Sequence, residues 1–181
     1  MYDPSFDARA SRETLTALCL SALVMLGGAT FTASAANAVS TPEPFDTAGK
    51  AVVLSVEAAG MQIYECHVDD SGRLMWTFRE PLAILTAEGK TIGRHFAGPS
   101  WQLNDGGKVV GKLVAQKPGA SDKDITLLHL DVSRREGTGL LTRATAVERL
   151  DTHGGVFAGV CQQAGELHLE PYSARYVFLG E

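Results

Sequence analysis

The chain has 181 residues, 45% of them hydrophobic, and sets 16 Lys and Arg against 21 Asp and Glu for a formal charge of −5. A mildly acidic chain of mixed sign argues against nucleic acid or an anionic membrane surface as the main partner. Its length calls for one domain rather than several.

At the N-terminus, Arg9 and Arg12 precede an apolar run from Leu15 to Ala29, and the small residues Thr32-Ala-Ser-Ala-Ala-Asn-Ala38 follow. Charged start, apolar centre and A-x-A end are the parts of a secretory signal peptide. Residues 1–35 are therefore expected to be a signal peptide, cleaved after Ala35 or Ala38. The run is shorter than the ~20 residues a membrane span needs, and Cys19 lacks the small residues before it that lipid attachment requires. Cleavage after Ala35 leaves 146 residues with 14 basic and 18 acidic side chains. That is enough for one well-buried core. No apolar run in this part is long enough to span a bilayer, and the location implied is periplasmic or secreted. Two cysteines remain, Cys66 and Cys161. An even count in an exported chain points to a structural disulfide; the alternative is a pair of metal-binding or redox thiols, for which no C-x-x-C supports a case.

Residues 36–50, with Pro42 and Pro44 and no periodicity, read as an extended lead-in. Residues 51–181 then read as one β-domain, a series of short β-branched and aromatic runs broken by Gly-centred turns. The predicted strands are Ala51–Val56, Met61–His67, Leu74–Phe78, Ala83–Thr86, Thr91–Phe96, Ser100–Leu103, Lys108–Gln116, Thr126–Val132, Leu141–Leu150, Glu166–Leu169 and Ala174–Leu179. Leu141–Leu150 tolerates a helix, but Thr142, Thr145 and Val147 favour a strand. The fold class is all-β: a single antiparallel sandwich or barrel built from short hairpins, with little or no helix.

Three turns share a pattern, around Gly72-Arg73, Gly89-Lys90 and Gly107-Lys108. Glycine supplies the positive φ of a tight hairpin, and the basic residue opens the outgoing strand. The third turn overlaps Gly106-Gly-Lys-Val-Val-Gly-Lys112, which has the spacing of a phosphate-binding loop but lacks its Ser or Thr. A phosphate loop needs a helix leading out; Val109-Val110 and Leu113-Val114 are a strand. This stretch is a hairpin turn.

Five histidines, His67, His95, His129, His153 and His168, lack the close pairing of a zinc site. His129 with Asp131, and His168 with Glu170, could each share a strand face, a pattern common on solvated strands. No metal site and no cofactor are assigned. Ser100 lacks a G-x-S-x-G elbow, Cys66 and His67 point to opposite faces of a strand, and no dinucleotide fingerprint occurs. No catalytic residues are assigned. The aromatic residues Tyr64, Trp76, Phe78, Phe96, Trp101, Tyr172, Tyr176 and Phe178 are needed for burial, although a barrel or sandwich mouth lined by some of them would suit a small ligand.

The ordered strings Gly60-Met-Gln-Ile-Tyr-Glu-Cys66, Trp76, Pro81-Leu-Ala-Ile-Leu85, His95-Phe-Ala-Gly-Pro-Ser-Trp101, Glu148-Arg149, Thr152-His-Gly-Gly155, Cys161 and Pro171–Phe178 resemble a family of exported proteins, domain of unknown function 3455. Gly107 stands where that pattern usually has Ser, Glu148 where it has Gln, and Asp151 where it has Asn. The resemblance implies no established activity.

Two functions are open. One is an exported binding or structural module for a small molecule, a polymer or a protein surface, with Gln62, Tyr64, Trp76, His95, Trp101, Arg149 and Thr152 as candidate ligand-binding residues. The other is a secreted hydrolase or metal-dependent enzyme centred on His95. The missing catalytic signature favours the first. His95, just before a Gly-Pro turn, either faces a cleft or is a buried ring bonded to that turn. The enzyme needs His129, His168 or a carboxylate beside it.

Overall fold

Alternation decides the architecture. In the computed structural model, which describes residues 45–47 and 49–181, Val56, Ala58, Gln62, Tyr64 and Cys66 are buried while Glu57, Ala59 and His67 are exposed. This period of two runs through β1 (Ala51–Val68), the longest of eight strands. The others are β2 (Leu74–Ala87), β3 (Lys90–Phe96), β4 (Ser100–Leu103), β5 (Lys108–Lys117), β6 (Leu127–Glu136), β7 (Ala146–Gly154) and β8 (Leu167–Gly180). Each pairs antiparallel with the next, and β8 returns to β1, so the sheet closes into an eight-stranded meander barrel. Closure removes the sheet edges and turns every inward residue toward one interior. Among the described residues no helix is long and apolar enough to cross a membrane. The expected signal peptide lies outside the described residues.

Eleven predicted strands become eight because Gly60, Pro81 and Pro171 do not interrupt. Gly60 faces inward opposite Ala83, where a Cβ would run into the Leu82 carbonyl; the close approach of β2 requires the glycine. Pro81 sits beside an irregularity in the β1–β2 register between Ile63 and Tyr64, where a missing N–H costs little. Leu141–Leu150 divides into a 3-10 turn, Leu140–Arg143, and the start of β7.

The turn reading holds with one correction. Glu88 (φ 50°) and Gly89 (φ 73°) form the β2–β3 turn, and Gly72 (φ 80°) lies between β1 and β2. Between β4 and β5 the positive φ belongs to Gly106 (91°), not to Gly107, whose Cβ would press on the 3-10 turn. The chain leaves that turn as strand β5, so the phosphate-loop spacing is a hairpin.

The two ends of the barrel differ. Around the 3-10 turn the interior is filled by Val56, Leu85, Trp101, Leu103, Val109, Leu130, Leu141 and Phe178, which belong to one core cluster. Full burial of such side chains is worth about 1.5–3 kcal/mol each. Outside the barrel a second cluster of Ala146, Leu150, Val177 and Leu179 is covered by Phe45 from the lead-in. At the other end the 155–166 segment is tied back to β1 by the Cys66–Cys161 disulfide (Cα–Cα 5.9 Å). Trp76 N–H donates to the Gly159 carbonyl at 3.0 Å and Gly165 N–H to that of Cys66 at 2.9 Å.

The bridge joins residues 95 apart, and a crosslink of that span constrains the unfolded chain by about 4–5 kcal/mol in the chain-entropy model. Reduction is expected to lower the urea unfolding midpoint by a matching amount. Thiol titration of the native oxidised protein should find neither Cys66 nor Cys161 reactive; labelling of both would contradict the bridge.

Candidate ligand-binding cavity at the open end

The end opposite the 3-10 turn holds a cavity of about 600 Å³, within the 300–1,000 Å³ usual for small-molecule sites. Strand parity, reset on β2 by the register irregularity opposite Ile63 and Tyr64, supplies its wall: Gln62 and Tyr64 from β1, Phe78 and Pro81 from β2, His95 from β3, Leu128 from β6 and Arg149 from β7. The connections Ala97–Pro99 and Ile125–Thr126, with Val156, complete the rim. Three apolar side chains here stay open to solvent, Phe78 (49% exposed), Leu113 (51%) and Val156 (41%).

Tyr64 spends its polar group on the rim. Its hydroxyl donates to the Gly155 carbonyl at 2.7 Å and accepts from Phe157 N–H at 3.2 Å, fixing the 155–166 segment above the barrel. Burial, first among several causes, raises its pKa. Asp124 fixes the facing connection by accepting from Gly154 N–H at 2.7 Å.

Arg149 is anchored rather than loose. Its Nε donates to the Thr126 carbonyl at 2.9 Å and Nη2 to the Thr126 hydroxyl at 3.2 Å. Its charge acts on Tyr64, His95, Tyr172 and Tyr176. Nε2 of Gln62 is enclosed without a partner, whereas the buried Tyr176 hydroxyl lies between that of Tyr172 and the Arg149 side chain and interacts with both. Burial is the leading cause that raises both tyrosine pKa values. An enclosed polar group without a partner costs stability, and Gln62 carries one in the cavity lining.

His95 lies at the cavity floor, 2% exposed and stacked on Trp101 with ring centroids 4.6 Å apart and planes 12° apart. Its Nδ1 is 2.9 Å from the Ser100 carbonyl. A carbonyl only accepts, so Nδ1 carries the proton and Nε2 of the neutral ring is an acceptor. Burial above all holds its pKa down to about 4; the Ser100 bond opposes this and Arg149 adds to it.

Four of the seven candidate residues, Gln62, Tyr64, His95 and Arg149, meet at the cavity. The other three do not line it. Trp101 is the buried layer beneath His95. Trp76 packs on Phe157 (5.7 Å) and His168 (5.8 Å) and supports the 155–166 segment. Thr152 is 3% exposed and walled in at the irregularity of β7 between Leu150 and His153. Phe78, Pro81, Leu113 and Leu128 were not singled out as ligand residues. The register of Gln62 with Pro81 and Tyr64 with Phe78 carries the signal that places two of them, but it needs the strand pairing. The remaining histidines stand apart: His129 pairs with buried Glu148 at 3.1 Å, and His168 with Glu170 at 2.8 Å. Among the described residues no three His, Cys, Asp or Glu side chains gather to hold a metal.

Residues 47–180 match the family described as Protein of unknown function (DUF3455). The chain belongs to the DUF3455 family. No curated protein and no solved structure matches it. In this DUF3455 chain Gln62 and Tyr64, His95 with Ala97–Pro99, and Gly155, distant in sequence, meet at the open end of the barrel. Of the three positions that depart from the family pattern, Glu148 is the buried partner of His129. Asp151 takes φ 48°, a region that Asp and Asn tolerate better than most side chains. Gly107 lies against the 3-10 turn.

The buried His95 makes stability depend on pH. An unfolded histidine titrates near 6.5, whereas the folded ring resists protonation until about pH 4. The unfolded chain binds the extra proton in this window, so the contribution is complete above pH 6.5 and is lost as pH falls toward 4, by about 3 kcal/mol. Urea midpoints measured from pH 7 to 4.5 should fall with this slope, and His95→Asn should flatten it. An unchanged slope in the variant would contradict the assignment.

Proposed function

We propose that this protein is an exported β-barrel that binds a small amphipathic molecule in its open end, and that it acts as a binding module. The cavity carries the reading. It combines a size suited to a small ligand with a mostly apolar wall and a few fixed polar groups, Gln62, His95 and Arg149, the usual make-up of a ligand pocket. Exposed Phe78, Leu113 and Val156 at the mouth add apolar surface that a ligand would cover. Support for a polymer or a flat protein partner is weaker, since the polar groups sit inside a concavity.

Export rests on the N-terminal pattern and is supported by the Cys66–Cys161 disulfide, a bond that persists in oxidising compartments. The enzymatic alternative needs an ionisable partner for His95. The ring is instead stacked on Trp101 with Nδ1 committed to Ser100, and among the described residues no Asp or Glu lines the cavity. Nothing in this geometry favours hydrolysis.

The neutral apolar dye Nile red should bind the protein with one site per chain, and Leu128→Trp, which fills the cavity from its wall, should weaken binding by about tenfold or more. The variant's thermal midpoint serves as the folding control. Absence of saturable binding, or equal binding by a folded Leu128→Trp protein, would overturn the proposal.

A further inference from the structure

Resting on the binding reading above, we infer that the ligand is a small carboxylic acid whose single carboxylate is received by Arg149 and Gln62 and whose apolar body lies against Phe78, Leu113, Leu128 and Val156. Among the described residues the cavity lining contains two guanidiniums and no acidic side chain. The two are not equivalent. Arg79, at the rim, is already matched by Glu80 at 3.2 Å and Glu65 at 3.6 Å. No ion pair among the described residues involves Arg149. It contributes a partly buried positive charge to a largely apolar wall.

Geometry points the same way. Of the five N–H donors of a guanidinium, two are committed to Thr126 and the group also interacts with the Tyr176 hydroxyl. These contacts hold it in place and leave two donors, held in a fixed orientation, for a carboxylate. Gln62, 2% exposed and also part of the lining, has an enclosed Nε2 with no partner. This is a second donor waiting for an acceptor. One uncompensated charge suits a singly charged group; a phosphate dianion would leave negative charge unmatched against apolar side chains. The volume, about 600 Å³, corresponds to roughly 20 water-sized atoms at ~30 Å³ each, which admits a medium-chain or aromatic acid but not a large lipid.

Calorimetric titration of the oxidised protein with decanoate and with decanol separates this inference from the reading beneath it. The two probes share an apolar body and differ in charge. A charge-assisted bond of this kind corresponds to about ten- to a hundredfold in affinity, so decanoate should bind tighter than decanol by that factor. Arg149→Gln should remove the preference, lowering decanoate affinity at least tenfold more than that of decanol. Equal binding of the two probes to the wild-type protein overturns the carboxylate inference alone. Binding of neither overturns the small-molecule reading as well. A decanoate preference that survives in folded Arg149→Gln places the anion elsewhere and overturns the inference. Should Arg149→Gln not fold, Arg149→Lys keeps the charge without the fork; it must weaken decanoate more than decanol, and an equal loss for both overturns the assignment.

Discussion

Closure of the barrel along β1 is the constraint on which the rest depends. This strand pairs with β2 from Glu57 to Val68 and with β8 from Ala51 to Glu65, so both of its edges are occupied along most of its length. Once it is held on both sides, its inward row of Val56, Ala58, Gly60, Gln62, Tyr64 and Cys66 has a fixed destination. The row also changes character along its length. Small and aliphatic residues lie toward the filled end, and Gln62 and Tyr64 toward the open one. The same change occurs along β8, from Phe178 to Tyr176 and Tyr172. A closed eight-stranded barrel has an interior that side chains can fill or that can admit one small ligand. Here the two halves take different options.

The open half is held open by specific bonds. Tyr64 grips the 155–166 segment from below, the disulfide secures it at the side, and Asp124 fixes the facing connection at Gly154. Thr126 orients Arg149, and Trp101 supports the His95 ring. The polar groups of the cavity are therefore preorganised, which reduces the ordering cost of binding. The price is an enclosed polar atom without a partner on Gln62 and a histidine kept neutral by burial.

Much of the fold was legible in the sequence because it rests on local chemistry. β-branched runs and glycine turns gave the all-β class, and the cysteine count gave the bridge. Breaks at Gly60, Pro81 and Pro171 were overread, because each residue marks a turn in isolation and a strand irregularity or close approach in a paired sheet. Closure was not legible: the β1–β8 pairing joins residues more than a hundred positions apart, and alternation fits a sandwich equally well. The site divides in the same way. Gln62, Tyr64, His95 and Arg149 stood out by residue type. Trp76, Trp101 and Thr152 shared that chemistry but were placed elsewhere: Trp76 under Phe157 and His168, Trp101 in the depth of the core, and Thr152 in the irregularity of β7. Leu113 and Leu128 look like any core leucine until the barrel closes and leaves them facing space.

The central claim is that the open end, rather than the outer surface, receives a ligand. The outside of the barrel offers its own exposed apolar side chains, Leu82, Ile84, Leu167 and Leu169, so location must be observed directly. Isotope-edited NMR on a complex with bound decanoate measures it through intermolecular nuclear Overhauser contacts. The account predicts contacts from the ligand chain to the methyl groups of Leu113, Leu128 and Val156. Contacts to Leu82, Ile84 and Leu169 without these would contradict it.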